Sequence, residues 1–166
     1  MAEPSRTIAV LVANPALSSI LSMVLASVPS YRVRPFDSEI ALVTYMRLAP
    51  VDVIVTDFDS ASARADRVTR DLMADDSIVY RDYQVIALAS EVSPDTKKLC
   101  IASGIDEVIV KPMSPKYLVE RVRSRLARRA ATPPRAVRSG TLRRPDFSQY
   151  GNVIPLWTRE RPLPQH

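Results

Sequence analysis

Two residues of opposite charge, Asp57 and Lys111, have the types and positions that phosphoryl chemistry can use. Asp57 ends the apolar run at 53–57, and Lys111 ends a second β-branched run at 108–111. Short runs of this kind predict buried strands. The carboxyl ends of parallel strands meet at one edge of a sheet, so the sequence predicts an acid–amine pair there. Such a pair suits phosphoryl transfer, or it is a structural ion pair retained after that chemistry was lost.

The elements that must position this pair alternate between strands and helices. Apolar or β-branched segments predict five strands, at 7–12, 31–33 (with an extension to 36 left open), 53–56, 84–88 and 107–110. Each is followed by an amphipathic segment that predicts a helix, and four of these begin at Pro15, Ser38, Pro94 and Pro115. Such alternation predicts a parallel sheet with helices on both faces.

Composition places the chain among globular proteins and excludes several kinds of site. The 166 residues are 46% hydrophobic and 25% charged, which fits one domain and an extension. The sequence contains neither a signal-peptide pattern nor an apolar run of the ~20 residues that span a bilayer, so we expect a cytoplasmic protein. The single cysteine, Cys100, excludes an internal disulfide, and the single histidine, His166, excludes histidine catalysis within the domain. With only three glycines and no visible nucleophile–base pair, we expect no enzyme.

The amino-acid composition of the chain changes after residue 129. Residues 118–166 hold eleven arginines and three acids, a net charge of +8 within a total of +5. Residues 130–166 contain six prolines and six arginines, which predicts a disordered extension. Within it, segment 147–157 concentrates aromatic and β-branched residues. We expect this patch to bind its own domain or a partner, with Tyr150 and Trp157 as anchors.

The order of the elements and three local features resemble the receiver domain of bacterial two-component response regulators, of the chemotaxis-regulator kind. The features are Asp57 after the third strand, the segment from Gly104 to Lys111-Pro112, and Asn14-Pro15 after the first strand. The resemblance covers residues 5–128, and we assign 5–129 to the domain. It implies a flavodoxin-like α/β fold, (βα)₅, with a doubly wound five-stranded parallel sheet in the order 2-1-3-4-5.

The resemblance also implies a chemistry for the strand ends. In the family, a sensor histidine kinase or phosphotransfer protein donates a phosphoryl group to the aspartate, which is here Asp57. A Mg²⁺ ion, held by two acidic residues after the first strand and by the acceptor, neutralises the charge. The lysine, here Lys111, contacts the phosphate, and the Lys111-Pro112 bond is expected to be cis. The family's site also includes a hydroxyl side chain on the fourth strand and an aromatic side chain on the fifth strand.

The sequence departs from that pattern at the positions that matter most. The acidic pair falls on Val12 and Ala13, which cannot bind a metal ion. The hydroxyl position falls on Ala89, and the aromatic position falls on Val108. Asp57 is therefore the only retained ligand for Mg²⁺.

Three functions follow as hypotheses. The first is a stand-alone receiver protein of a phosphorelay, with Asp57 as phosphoacceptor and Lys111 as phosphate contact, that signals by protein–protein contacts. The second is a pseudo-receiver adaptor that lacks the Mg²⁺ site and acts without phosphorylation. The third, which we rank last, is nucleic-acid binding through the basic tail; arginines on a terminal helix more often form a solvated face.

The resemblance also places the contact surface for a partner on the fourth helix, fifth strand and fifth helix. The sequence leaves open which kinase or output protein binds there and whether the domain forms a homodimer, and it gives no sign of membrane binding. The residues expected at that surface are Lys97, Lys98, Val108, Tyr117 and Arg121.

Overall fold

The computed structural model describes residues 4–131 and 153–154, which form six strands and five helices. Tyr150 and Trp157 lie outside these ranges, so their roles remain predictions. No helix in the ranges has the length and apolar content to cross a membrane. The strands are β1 (Arg6–Leu11), β2 (Tyr31–Phe36), β3 (Val53–Asp57), β4 (Gln84–Ala89), β5 (Glu107–Val110) and β6 (Val153–Ile154). The helices are α1 (Pro15–Ala26), α2 (Glu39–Leu48), α3 (Ala65–Ala74), α4 (Pro94–Ser103) and α5 (Pro115–Ala131).

The sheet has the order β2-β1-β3-β4-β5-β6, and its first five strands are parallel. The predicted fold class and the order 2-1-3-4-5 are confirmed. The sixth strand pairs antiparallel with β5. This strand lies within the extension and was not predicted from sequence; an edge strand offers unpaired backbone groups to any extended segment that reaches it.

Local sequence signals explain where the helices begin and end. Asn14 caps α1 by accepting hydrogen bonds from the N–H groups of Ala16 and Leu17, at 3.0 and 3.1 Å. Ser93 caps α4 in the same way. Gly104 ends α4 with φ +87°, in the left-handed region that glycine adopts without strain. These boundaries leave the loops after β1, β3, β4 and β5 together at one edge of the sheet.

Two apolar clusters, one on each face of the sheet, fix the position of the strands. One face carries α1 and α5, with Leu21, Leu25, Leu118, Val122 and Leu126 packed against the sheet. The opposite face carries α2, α3 and α4. The buried residues of that second cluster include Leu42, Met46, Val68, Leu72 and Cys100. Because both faces of the sheet are covered, β1, β3, β4 and β5 carry uninterrupted apolar runs, at 8–11, 53–55, 85–89 and 108–110.

Candidate functional site

Asp57 and Lys111 meet at the carboxyl-terminal edge of the sheet. Asp57 is the last residue of β3 and is 6% exposed, and Lys111 directly follows β5. The Lys111 Nζ lies 3.2 Å from Asp57 Oδ1 and 3.4 Å from Oδ2. The predicted acid–amine pair therefore forms. The Lys111-Pro112 peptide bond is cis, as the resemblance implied.

A second carboxylate, Asp59, shares the same ammonium group. Its Oδ2 lies 2.8 Å from Lys111 Nζ. The same oxygen accepts hydrogen bonds from the N–H and Oγ of Ser90, at 2.8 and 2.6 Å. The backbone N–H of Asp59 donates to Asp57 Oδ1 at 2.8 Å. Lys111 thus bridges two carboxylates, and Ser90 fixes the outer one.

The charges of this cluster are mutually stabilised. Burial raises the pKa of Asp59, but the hydrogen bonds from Lys111 and Ser90 outweigh this effect, so the pKa of the carboxyl lies below its usual value. Burial lowers the pKa of Lys111, but its contacts with Asp59 and Asp57 outweigh it, so the pKa of the ammonium is raised. Both shifts favour the charged forms at neutral pH.

The residues present do not fit the Mg²⁺ site that the resemblance implies. The two positions of the acidic pair hold a buried apolar side chain, Val12, and a methyl group, Ala13. The carboxylates of Asp57 and Asp59 are both directed at Lys111. Within residues 4–131, no three histidine, cysteine or acidic side chains gather in a way that could hold a metal ion.

The hydroxyl position and its neighbour also differ from the expected pattern. Ala89 is fully buried and offers no polar atom. Ser90, one residue later, contacts Asp59 rather than Asp57. This contact agrees with strand alternation, which directs Ser90 away from Asp57. The role of Asp59 was only partly visible in the sequence, where its carboxylate stood two residues after Asp57 without a recognisable partner.

An apolar groove of about 360 Å³ opens beside this cluster, between α1 and the start of α5. Sequence reasoning missed it, because its walls come from segments far apart in the chain. Its lining residues include Leu17, Ile20, Lys111, Pro112, Met113 and Pro115.

Two residues of the predicted partner surface are buried, which is a correction. Val108 has no exposed area, because it packs into the cluster under α2 to α4 and β6 covers its strand edge. Arg121 is 4% exposed, because its guanidinium donates to the carboxylate of Glu107. Lys98 is exposed, and Lys97 and Tyr117 are half-buried. The accessible part of that surface is therefore smaller than expected.

The arginines of α5 also differ from the expected solvated face. Arg121 and Arg125 both bind Glu107, the first residue of β5. One turn later, Arg129 binds Asp52 and Asp82, which precede β3 and β4. Three of the five arginines thus neutralise acids at the amino-terminal edge of the sheet. The nucleic-acid hypothesis loses these three side chains, and its remaining support lies in the other two arginines of α5 and in tail residues outside the described ranges.

Comparison with known proteins gives a likeness of fold. No family model and no curated protein matches the sequence. Among solved structures, a receiver domain of a Francisella response regulator is 18% identical with a TM-score of 0.64, and the match covers 75% of this chain and 98% of that one. A chemotaxis protein of Vibrio cholerae, CheY4, is 18% identical with a TM-score of 0.65, covering 72% and 98%. A CheY-like receiver domain protein from Methanospirillum hungatei is 13% identical with a TM-score of 0.67, covering 76% and 98%.

These similarities cover nearly the whole of each receiver domain and agree with the observed strand order. The chain therefore has the fold of a response regulator receiver domain, in a divergent form.

Proposed function

We propose that the protein is a signalling module with a receiver fold that acts by binding other proteins, without catalysing a reaction and without metal-assisted phosphorylation of Asp57. One observation carries this proposal. A single side chain, Lys111, supplies positive charge to both Asp57 and Asp59, while Val12 and Ala13 occupy the positions of the acidic pair. This is the adaptor function among the hypotheses from sequence.

Electrostatics supports the adaptor over the phosphoacceptor. Phosphoryl transfer depends mainly on positioning and on stabilising negative charge. A phosphoryl group carries about −1.5 to −2 charges at neutral pH, and on an aspartate it replaces the single negative charge of the carboxylate. Lys111 already faces two carboxylates, so phosphorylation of Asp57 would make a cluster with one cation still more negative. Asp57 acts here as the fixed partner of Lys111.

Retention of the Asp57–Lys111 pair is the observation that favours the alternative, phosphorylation by a sensor histidine kinase or a phosphotransfer protein. Intact-mass measurement after incubation with acetyl phosphate, with and without Mg²⁺, separates the two. We expect no added phosphoryl group under either condition. A mass gain in the wild type that disappears in Asp57→Asn would establish Asp57 as the phosphoacceptor and overturn the adaptor.

A complementation experiment tests the same proposal in the native host. If signalling is independent of phosphorylation, Asp57→Asn should restore the phenotype of a deletion strain as well as the wild-type protein does. Equal amounts of the two proteins in the cell must first be shown by immunoblot. Failure of Asp57→Asn at equal abundance would contradict the proposal.

The partner in this proposal is an output protein. From the predicted surface, the accessible side chains that support such a contact are Lys98 and the half-buried Lys97 and Tyr117. Two lysines adjacent in sequence on α4 suit an acidic partner surface, and rim charges of this kind act chiefly on association rate. Replacing both lysines with glutamate should therefore slow association with the partner at low ionic strength.

A further inference from the structure

The two edges of the sheet are protected in different ways. β2, at one edge, has the sequence YRVRPF, and its exposed arginines and Pro35 discourage pairing with another strand. β5, at the other edge of the parallel sheet, has the sequence EVIV and carries neither lysine nor proline. An open strand of this composition is a template for pairing with another chain. In this chain, β6 lies against it.

The direction of the backbone groups of β5 shows how β6 is held. The N–H of Lys111 donates to the carbonyl of Ala89 in β4, at 2.8 Å. Because these groups alternate in direction along a strand, the N–H and C=O of Val108 point away from β4, toward the edge. The antiparallel register places Ile154 opposite Val108 and Val153 opposite Ile109. Ile154 is therefore the residue that exchanges hydrogen bonds with Val108, and the Ile109–Val153 pair is not hydrogen-bonded.

We propose that the outer edge of β5 is a strand-binding surface and that its occupant is this chain's own segment Val153–Ile154, bound in cis. A partner that uses this edge must displace the segment first. Because both strands belong to one chain, their pairing is intramolecular, so a competing strand must displace a segment that is present at a raised effective concentration. The proposal does not depend on the chemistry of Asp57.

Nuclear Overhauser effects in the full-length protein test the pairing directly. In a pair that is not hydrogen-bonded, the two Cα atoms lie about 4.5 Å apart, which brings their hydrogens close. We expect a strong effect between the Hα atoms of Ile109 and Val153. In a one-to-one mixture of labelled and unlabelled chains, an isotope-filtered spectrum should show no such effect between chains. Absence of the first signal overturns the strand, and a signal between chains shows that a second copy supplies it.

Proline substitutions test the register with a matched control. Ile154→Pro removes the N–H that donates to Val108, whereas Val153→Pro removes an N–H that points away from β5. We expect the amide of Val108 to exchange about tenfold faster in Ile154→Pro than in the wild type, and to change little in Val153→Pro. The amide of Val55 in central β3 should stay protected in all three proteins. Equal exchange at Val108 in the wild type and Ile154→Pro would overturn the proposal.

Binding of a free peptide tests whether the edge accepts strands. A labelled synthetic peptide of residues 147–157 should bind the Ile154→Pro protein, whose edge is open, and should bind the wild type at least tenfold more weakly. Equal affinity for both proteins, or no binding to Ile154→Pro, would show that the edge is not a strand-binding surface.

Discussion

Replacing Lys111 with methionine tests the reasoning about the charge cluster most directly. Methionine keeps the unbranched stem of lysine and removes its charge. In the variant, the nearly buried carboxylate of Asp57 keeps the N–H of Asp59 as a donor but loses the ammonium 3.2 Å away. Asp59 loses the same group at 2.8 Å. Two carboxylates would then face each other without a cation between them.

The expected loss of stability in Lys111→Met follows from how deeply the side chains of the cluster are buried. Breaking a fully buried ion pair costs about 3–5 kcal/mol, whereas an exposed pair contributes about 0–1 kcal/mol. The side chains of Asp57 and Lys111 are 9% and 21% exposed, and that of Asp59 is 36% exposed. We therefore expect Lys111→Met to lower the free energy of unfolding by about 2 kcal/mol. For a domain of this size, that corresponds to a fall in Tm of roughly 5–10 °C.

Urea denaturation of the wild type and four variants measures the loss of stability and isolates its cause. Lys116→Met, at an exposed lysine of α5, is the matched control and should change stability by less than about 0.5 kcal/mol. Asp57→Asn should lower the free energy of unfolding by about 1 kcal/mol or less, because Lys111 keeps its ion pair with Asp59. The double variant Asp57→Asn/Lys111→Met should be more stable than Lys111→Met alone. A Lys111→Met protein as stable as the control, or a coupling energy near zero in the double-mutant cycle, would contradict the role of Lys111 as the shared counter-charge.

Three further outcomes follow from other charged or buried groups. Glu107→Gln removes the carboxylate charge that faces the buried Arg121. In a urea titration it should lower the free energy of unfolding by about 3 kcal/mol. The control Glu120→Gln, at an exposed position, should change the free energy of unfolding little. The pKa of Asp59 is lower in the folded protein than its ordinary value, so its contribution to stability is present above that ordinary value and is lost as pH falls through the lowered pKa. Asp59→Asn should flatten this part of the acid unfolding curve, and an unchanged curve would contradict the assignment. Cys100 is fully buried, and its pKa is raised to about 11, chiefly by burial. A thiol reagent at pH 8 should therefore modify it only after the protein unfolds. Fast modification of the native protein would contradict its burial.

The sequence predicted the parallel part of the fold because each central strand is covered on both faces. β1, β3, β4 and β5 each contain an apolar run of three to five residues, and this pattern is visible without any structure. The edge strand β2 was harder to delimit, because arginines and Pro35 interrupt it. β6 was not predicted as a strand, because two residues carry no periodicity. Their pairing depends on the main-chain groups of β5, which no side-chain pattern reveals.

The contacts of the candidate site were also predicted only in part, because some of them depend on loop conformation. Asp57 and Lys111 stand at the ends of recognisable strands, so their meeting follows from topology alone. The bridge from Lys111 to Asp59 depends on the conformation of the loop after β3, which the sequence does not determine. The ion pairs of Arg121 and Arg125 depend on Glu107, whose position at the start of a buried strand was a signal that could have been used.

The apolar residues at the site and the bridging lysine are consistent with one another. Carboxylates at positions 12 and 13 would bring two more negative charges to the edge where Asp57 and Asp59 already share one ammonium group. Without a divalent cation, such an arrangement costs free energy, because like charges at close range disfavour ionisation. Val12, which is 4% exposed, instead packs into the cluster under α1 and α5. Val12 thus contributes apolar contact at a position where the resemblance implies a metal ligand, and Lys111 is the counter-charge that Asp57 and Asp59 share.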